Sequence, residues 1–314
     1  MCGGVFCTLF SLNAAKENRI SIVGATSPLG IDLMRVLADG GNEIVALHRD
    51  PARLPGLFRG RPNIELLRHD LAHDVPAAVE GTVIWLAHLD QGRFNERETE
   101  ANLAAIERFF EHSRNVLRVI FVSSGGSVYG PAESFPIDED ARLMPLSSYG
   151  KAKAAIERRL AELAAERGFG LAILRPGNIY GFSDPNHDVK GVVAAAVDSL
   201  ANAAPFTLIG EGRTIRDLIH IDDVVRAVAA AIESERQNII WNIATGKGTA
   251  VSDVITKVEA AAGRKITNIR HIENFSSDVD ANILSIRRAA TQSGWRPLIA
   301  LDDGIERTVS EHLV

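Results

Sequence analysis

Residues 19–47 constrain the fold more than any other stretch of this chain. Arg19-Ile20-Ser21-Ile22-Val23 reads as a short buried strand, and Gly24-Ala25-Thr26-Ser27-Pro28-Leu29-Gly30 follows it. A helical pattern then runs through Ile31, Leu33, Met34 and Leu37 to a stop at Gly40-Gly41, before a second apolar strand from Glu43 to Leu47. Strand, glycine-bearing turn, helix and strand within about 30 residues form the context that a dinucleotide fingerprint requires. Gly24 permits the tight turn, Gly30 lets the helix pack closely on the sheet, and the helix N-terminus favours a pyrophosphate. The middle glycine of the pattern is replaced by Ser27, which is still small, and Pro28 suits a helix start because its missing N–H would be unpaired there anyway. Gly24, Thr26, Ser27, Pro28, Leu29 and Gly30 are therefore candidate cofactor-binding residues. An ordinary turn without a ligand is the duller alternative.

The end of the second strand bears on which cofactor binds. An acid at this place suits the ribose 2′-OH of NAD, whereas a nearby arginine suits the 2′-phosphate of NADP. Here Leu47 is followed by His48-Arg49-Asp50-Pro51, with His48 in the acid's place and Arg49 offering a bidentate phosphate partner. The expectation is NADP in preference to NAD. Asp50 could still bond a ribose hydroxyl, and Arg53 could assist or be plain surface.

A second informative pair is Tyr149 and Lys153, in the run Ser148-Tyr149-Gly150-Lys151-Ala152-Lys153. Four residues apart on a helix, they lie on one face with about 5–6 Å between Cβ atoms. A phenol titrates near 10, so bringing it to about 7 takes roughly 4 kcal/mol. A fixed ammonium one turn away and an oxidised nicotinamide both act in that direction. By itself the pair fits a solvated helix face better, because many surface helices carry Tyr and Lys four apart.

Composition excludes several classes. At 314 residues, 46% hydrophobic and 24% charged, the chain can bury a large core and divide into two lobes. A net charge of −6 without a basic block argues against nucleic-acid binding, and no stretch approaches the 18 or so apolar residues of a membrane span. Cys2 and Cys7 are the only cysteines, so neither a disulfide framework nor metal spacing arises. Val5 to Leu12 lacks a charged leader and a cleavage site, and residues 1–17 read as an extension of a cytoplasmic enzyme. Met1-Cys2-Gly3-Gly4 suggests an N-terminal nucleophile, without other support.

Alternation continues downstream. Val83 to His88 reads as a buried strand and its end, Glu98 to His112 as a helix, Leu117 to Ser123 as a strand, the Tyr149 helix runs to Arg167, and Leu171 to Arg175 is a further strand. That pattern implies an α/β fold with a Rossmann-type, doubly wound parallel sheet, its ligands at the carboxyl ends of the strands. Residues 18–178 are expected to form this domain and 179–314 a smaller mixed substrate domain, with segments such as 214–245 able to return to the first.

Chemistry-bearing residues fall at those strand ends, in Ser123-Ser124-Gly125-Gly126-Ser127-Val128-Tyr129-Gly130 and Arg175-Pro176-Gly177-Asn178-Ile179-Tyr180-Gly181. With Gly24–Gly30, Tyr149/Lys153, the run Gly210 to Val224, Trp241-Asn242-Ile243-Ala244 and Gly294-Trp295-Arg296-Pro297, they make the chain resemble an extended short-chain dehydrogenase/reductase of the NAD(P)-dependent sugar epimerase/dehydratase family. The resemblance runs from about residue 19 to the C-terminus.

That resemblance implies that Tyr149 exchanges a proton with a sugar hydroxyl while Lys153 bonds the nicotinamide ribose. Asp70, followed by Leu71, would lie near the adenine, Leu86, Ala87 and His88 along the cofactor, and Ser123 and Pro176 beside it. Asn178 and Arg216 would face the substrate, with Arg216 on a diphosphate, although a structural Arg216–Asp217 ion pair is an alternative. Asp222 and Asp223 fit the capping of a helix starting at Val224 better than catalysis. The family's catalytic Ser or Thr usually stands where this chain has Gly125. Ser127 is the first replacement, since two residues on in an extended segment points to the same side, and Ser124 the second; both also suit a purely loop-stabilising role. Asn102 is a candidate for the asparagine that the family uses near its active-site lysine.

The activity implied is epimerase/dehydratase chemistry on a nucleotide-activated sugar. The alternatives are NADPH-dependent reduction of a keto-sugar or other ketone, and an NADP-binding regulator without catalysis. A homodimer is expected through the stripes Ala152, Ala155, Ile156, Arg159, Leu160, Leu163 and Leu103, Ile106, Phe109, Phe110, although each stripe could instead pack on its own sheet.

Overall fold

A computed structural model describes residues 19–74, 78–89, 96–182, 191–273 and 279–313. The expectations for residues 1–17, with Cys2 and Cys7, lie outside the described residues. Along the chain the first elements are β1 (Arg19–Val23), α1 (Pro28–Asp39), β2 (Glu43–His48), β3 (Ile64–Arg68), β4 (Gly81–Trp85), α2 (Glu96–His112) and β5 (Val116–Val122). Next come α3 (Gly125–Val128), α4 (Ser148–Arg167), β6 (Gly170–Pro176), β7 (Asn178–Tyr180), α5 (Val192–Asn202) and β8 (Phe206–Ile209). The remainder comprises β9 (Ile215–Arg216), β10 (Leu218–His220), α6 (Ile221–Glu233), β11 (Asn238–Ile243), β12 (Thr249–Ala250), α7 (Val251–Ala262), β13 (Ile269–Ile272), β14 (Ala281–Asn282), α8 (Arg287–Ser293) and α9 (Leu301–His312).

Seven strands form one parallel sheet in the order β11-β6-β5-β4-β1-β2-β3. The doubly wound α/β fold expected from the sequence is the one observed. Strand parity sorts the side chains between the two faces, because successive residues point to opposite sides. Ile120, Val122, Ala172 and Leu174 enter the core under α1 and α6, with Leu33, Met34, Val224 and Val228. Val119, Phe121, Leu171 and Ile173 enter the core under α2 and α4, with Phe109, Phe110, Ile156 and Leu160. A separate core, with Val197, Phe206, Val254, Val258 and Val309, lies entirely in residues 180–309.

Two capped helices set the site. Ser27 caps α1, its Oγ accepting from Gly30 N at 3.1 Å and donating to Gly24 O at 2.8 Å, with Pro28 in the first turn. Ser147 caps α4, accepting from Gly150 N at 3.1 Å, and Gly168 ends it at a φ of 78°, a left-handed value that favours glycine.

The proposed dimer stripes turn inward. Ile106, Phe109, Phe110, Ala152, Ile156, Leu160 and Leu163 are all buried within the chain's own core, because a helix covering a sheet needs one apolar face for that purpose. Arg159 instead lies outward, pairing with Glu107 of α2 and with Glu162 and Glu166 of its own helix. The helix expected at Val224 starts at Ile221, and His220 is its N-cap, Nδ1 accepting from Asp222 N at 3.2 Å. Asp222 and Asp223 occupy its first turn. Among the described residues, no helix is long and apolar enough to cross a membrane and no cluster could hold a metal ion.

Candidate active site

The strand order reverses between β1 and β4, which opens a crevice at their carboxyl ends. Leu86 N and Ala87 N both donate to Val23 O, at 2.9 and 3.0 Å, drawing the segment after β4 against the Gly24 turn. A Cβ on Gly24 would sit 2.8 Å from Ala87 N, and Gly24 has a φ of 91°. A Cβ on Gly30 would meet Ala25 O at 2.7 Å. The turn therefore has no room for a side chain at Gly24 or Gly30, where the positive end of the α1 dipole reaches the crevice, which fits a dinucleotide pyrophosphate.

At the end of β2, His48 and Arg49 diverge. His48 is buried, with Nδ1 lacking a hydrogen-bond partner, and burial holds its imidazole below the usual value. Arg49 is exposed and within electrostatic reach of Asp70. Asp50 caps the next turn, accepting from Ala52 N at 2.9 Å. At the end of β3, Asp70 accepts from Ala72 N at 2.9 Å, the bond that chiefly holds its carboxyl below the usual range. Arg108 donates to Leu71 O at 2.8 Å, tying this loop to α2.

The loop after β5 differs from the extended segment expected. Residues 125–128 form one helical turn, so residues three apart share a side. Ser124 Oγ accordingly donates to Ser127 Oγ at 3.2 Å, and it is Ser124 that hydrogen-bonds Tyr149. The extended-segment argument for Ser127 fails for this reason; Ser127 reaches the tyrosine through Ser124. Gly125 points elsewhere. A Cβ there would meet Leu284 Cδ1 at 2.5 Å, Arg175 O at 2.8 Å and Pro176 O at 3.2 Å. Replacing Gly125 with Ser is thus expected to destabilise the protein by about 1–3 kcal/mol through overpacking, without adding a useful hydroxyl. Denaturant unfolding of Gly125→Ser checks this, and a midpoint at or above wild type would count against the packing described.

Tyr149 and Lys153 converge on this loop, but not as a simple pair. Burial pushes the Tyr149 phenol up to about 12, and the Ser124 bond only partly offsets it. Lys153 lies 5.7 Å from the Tyr149 ring centroid, yet its Nζ donates to Val122 O at 3.0 Å. Burial brings Lys153 down to about 8, and Glu157 opposes that shift. In the protein chain by itself, desolvation of the phenol outweighs the neighbouring lysine. The imidazole of His88 packs edge-on against Tyr149, with ring centroids 5.2 Å apart.

Beneath the pair lies a network that sequence reasoning missed. Ser123 Oγ donates to Glu157 Oε1 at 2.5 Å, and Arg175 Nη2 donates to Glu157 Oε2 at 2.7 Å. Arg175 Nη1 donates to Tyr129 Oη at 3.0 Å, and that hydroxyl donates to Asn242 Oδ1 at 2.6 Å. The signal available for Glu157 was its place one turn beyond Lys153 on the same helix face.

On the opposite side of the crevice, Asn178 lies exposed, with Oδ1 3.2 Å from where a Gly126 Cβ would be. Arg216 donates to Ile215 O at 2.9 Å and Val279 O at 3.0 Å. Asp217 takes its bonds from Thr245, Gly246 and Leu284 instead of from the neighbouring guanidinium. A cavity lined by Gly210, Glu211, Arg213, Thr214 and Asp280 opens just before Arg216. Arg216 pairs in register with Asn282, whose Nδ2 donates to Gly125 O at 3.1 Å, linking this strand to the serine loop.

The family model described as the NAD dependent epimerase/dehydratase family matches residues 20–244. A dTDP-4-dehydro-6-deoxyglucose reductase from Escherichia coli is 32% identical over 209 residues, covering 67% of this chain and 65% of its own length. A UDP-glucose 4-epimerase from Mycolicibacterium smegmatis is 30% identical over 214 residues, covering 68% of each chain. Among solved structures, the UDP-glucose 4-epimerase of Thermotoga maritima with UDP-glucose superposes with a TM-score of 0.79 at 25% identity, over 93% of this chain and 98% of its own. The UDP-glucose 4-epimerase of Thermus thermophilus in complex with NAD gives 0.77 at 25% identity, over 94% and 98%.

Proposed function

The chain belongs to the NAD-dependent epimerase/dehydratase family, and from that premise we propose that it is an NAD(P)-dependent epimerase of a nucleotide-activated sugar. The observation that carries this reading is the meeting of Tyr149, Ser124 and Lys153 beside a turn that admits no side chain at Gly24 or Gly30. In this reading Tyr149 Oη takes the proton of the sugar hydroxyl as that carbon becomes a carbonyl, and gives a proton back when the carbon is reduced. Ser124 Oγ orients the phenol and the reacting oxygen. Lys153 Nζ holds positive charge near the phenol and bonds the nicotinamide ribose. A bound nicotinamide supplies the acceptor, and then the donor, of hydride. Gly24 to Gly30 hold the pyrophosphate, with Asp70 and Leu71 at the adenine end, and Leu86, Ala87, Ser123 and Pro176 along the crevice. Asn178 and Arg216 face the substrate, and a guanidinium fork suits a diphosphate. Residues 18–178 serve as the cofactor domain and 179–314 as the substrate domain, with the segment ending in β11 returning to the sheet.

Incubating the protein with a panel of nucleotide sugars, with NAD or NADPH, tests the reading. Isomer formed without net change in the nicotinamide absorbance supports the epimerase; stoichiometric loss of NADPH replaces it with a keto-sugar reductase. That second reading is favoured by the reductase relative and by Arg49.

We propose NADP as the preferred cofactor, with Arg49 as the 2′-phosphate partner. Trp85 donates from Nε1 to Ala87 O at 3.1 Å, which makes tryptophan fluorescence a reporter for the crevice. Titration with each oxidised cofactor is expected to give tighter NADP binding. Tighter NAD binding refutes the choice.

We further propose a homodimer through the outward faces of α2 and α4, where Arg159 and Glu107 lie. Light scattering at micromolar concentration is expected to give twice the 33.9 kDa chain mass; a single-chain mass rules it out.

A further inference from the structure

The crevice holds one more ionisable pair, of which the roles above give His88 only a place along the cofactor. His88 leaves the carboxyl end of β4 next to the Gly24 turn, and its Nε2 lies 2.5 Å from Glu98 Oε1 on α2. The pair is largely enclosed, with side-chain exposures of 12% for His88 and 2% for Glu98. Asn102, one turn along α2 from Glu98, fixes the backbone beside the histidine. Its Oδ1 accepts from Leu89 N at 2.8 Å and its Nδ2 donates to Leu89 O at 3.0 Å. The imidazole is thus held at Nε2 by its carboxylate partner, and the backbone that follows it is fixed by Asn102. Its ring meets the Tyr149 ring at 5.2 Å and 76°.

We propose that His88, clamped by Glu98, is a positioning residue for Tyr149: it fixes the phenol ring and, as the imidazolium of an ion pair, favours the phenolate. This deepens the epimerase reading and rests on it for the role of Tyr149. The physical case is one of supply. A buried phenol ionises only if positive charge faces it, and Lys153, held to Val122 O with its Nζ 5.7 Å from the Tyr149 ring centroid, leaves a place for a second cation nearer the ring. A carboxyl taken out of water favours a cationic partner, and the group within hydrogen-bond reach of Glu98 is the imidazole. That imidazole is the member of the pair in contact with the tyrosine. Among the described residues, Glu98 from α2 and Tyr149 from α4 face the imidazole, and Lys153 of α4 lies 5.7 Å from the Tyr149 ring centroid.

The test is an ultraviolet-difference titration of the full chain with NAD bound, read as tyrosinate. The chain has three tyrosines, and burial pushes both Tyr129 and Tyr180 up. The transition missing in Tyr149→Phe is that of Tyr149. Glu98→Gln keeps a hydrogen-bonding partner but removes the charge that holds the imidazolium; His88→Gln keeps an amide in place of the ring. In both, the Tyr149 midpoint is expected to rise by about one pH unit, the effect of losing a cation at this range. Should Glu98→Gln fail to fold, His88→Gln carries the test. An unchanged midpoint in a variant with native circular dichroism and NAD affinity overturns the proposal. A raised midpoint with no sugar converted by wild type leaves the proposal standing and sinks the epimerase reading; the converse result separates them the other way.

Discussion

Tyr149→Phe is expected to lower turnover by about 100-fold or more while leaving cofactor affinity nearly unchanged. The substitution removes one hydroxyl: the proton carrier, with its hydrogen bond to Ser124. It leaves the ring that packs on His88 and the ring that lies 5.7 Å from Lys153, so the cofactor crevice keeps its shape. General acid–base catalysis supplies about 10²–10⁴-fold, and a loss confined to the transition state lowers kcat and kcat/KM together. The pH profile carries the same information. Burial, partly offset by the Ser124 bond, holds the phenol at about 12, so activity near neutrality requires cations that lower it, and the phenolate fraction rises with pH. Lys153, brought down to about 8, loses its charge as the pH passes that value. Activity should rise on the acid side and fall on the alkaline side. Turnover near wild type in Tyr149→Phe would end the mechanism.

Glu157→Ala is expected to cost about 3–5 kcal/mol of stability, the usual price of leaving a buried charge unpaired. Glu157 and Arg175 are 4% and 5% exposed, and the same carboxylate accepts from Ser123. A loss of that size is a large part of the roughly 5–15 kcal/mol that holds a typical domain. The denaturant midpoint measures it; a change below about 1 kcal/mol would show that water or a neighbour replaces the carboxylate. Glu157→Gln separates folding from chemistry. It keeps the volume but removes the charge that raises Lys153, so the alkaline limb of activity should move to lower pH.

What the sequence disclosed, and what it withheld, follow from the range of the interactions. The βαβ opening was legible because it is local: a strand, a serine cap, a proline in the first helical turn and a stop within about 30 residues. The Tyr149 helix was legible to its last residue, since Gly168 supplies the left-handed stop. Residues 125–128 were misread as extended because Gly125-Gly126 carries no period of either kind. Glu98 and Glu157 were passed over because on a helix surface each reads as an ordinary solvated acid. Their partners, His88 and Arg175, come from other strands. Asn242 is beyond any local signal, as its bond to Tyr129 spans 113 residues.

The position of β11 has a consequence for how the chain is made. Residues 238–243 pair with β6 and form the outer strand of the sheet, so the nucleotide half is not finished when its first six strands have left the ribosome. Until β11 arrives, β6 presents an open row of backbone donors and acceptors, the kind of edge on which another chain can add a strand. Closing it requires the intervening residues 177–237 to be synthesised first, which makes the pairing long-range and late. The chain commits to its finished sheet only after most of it has been translated, and a ribosome stalled before residue 238 holds a nascent chain that is already patterned for the fold yet open to strand exchange with its neighbours.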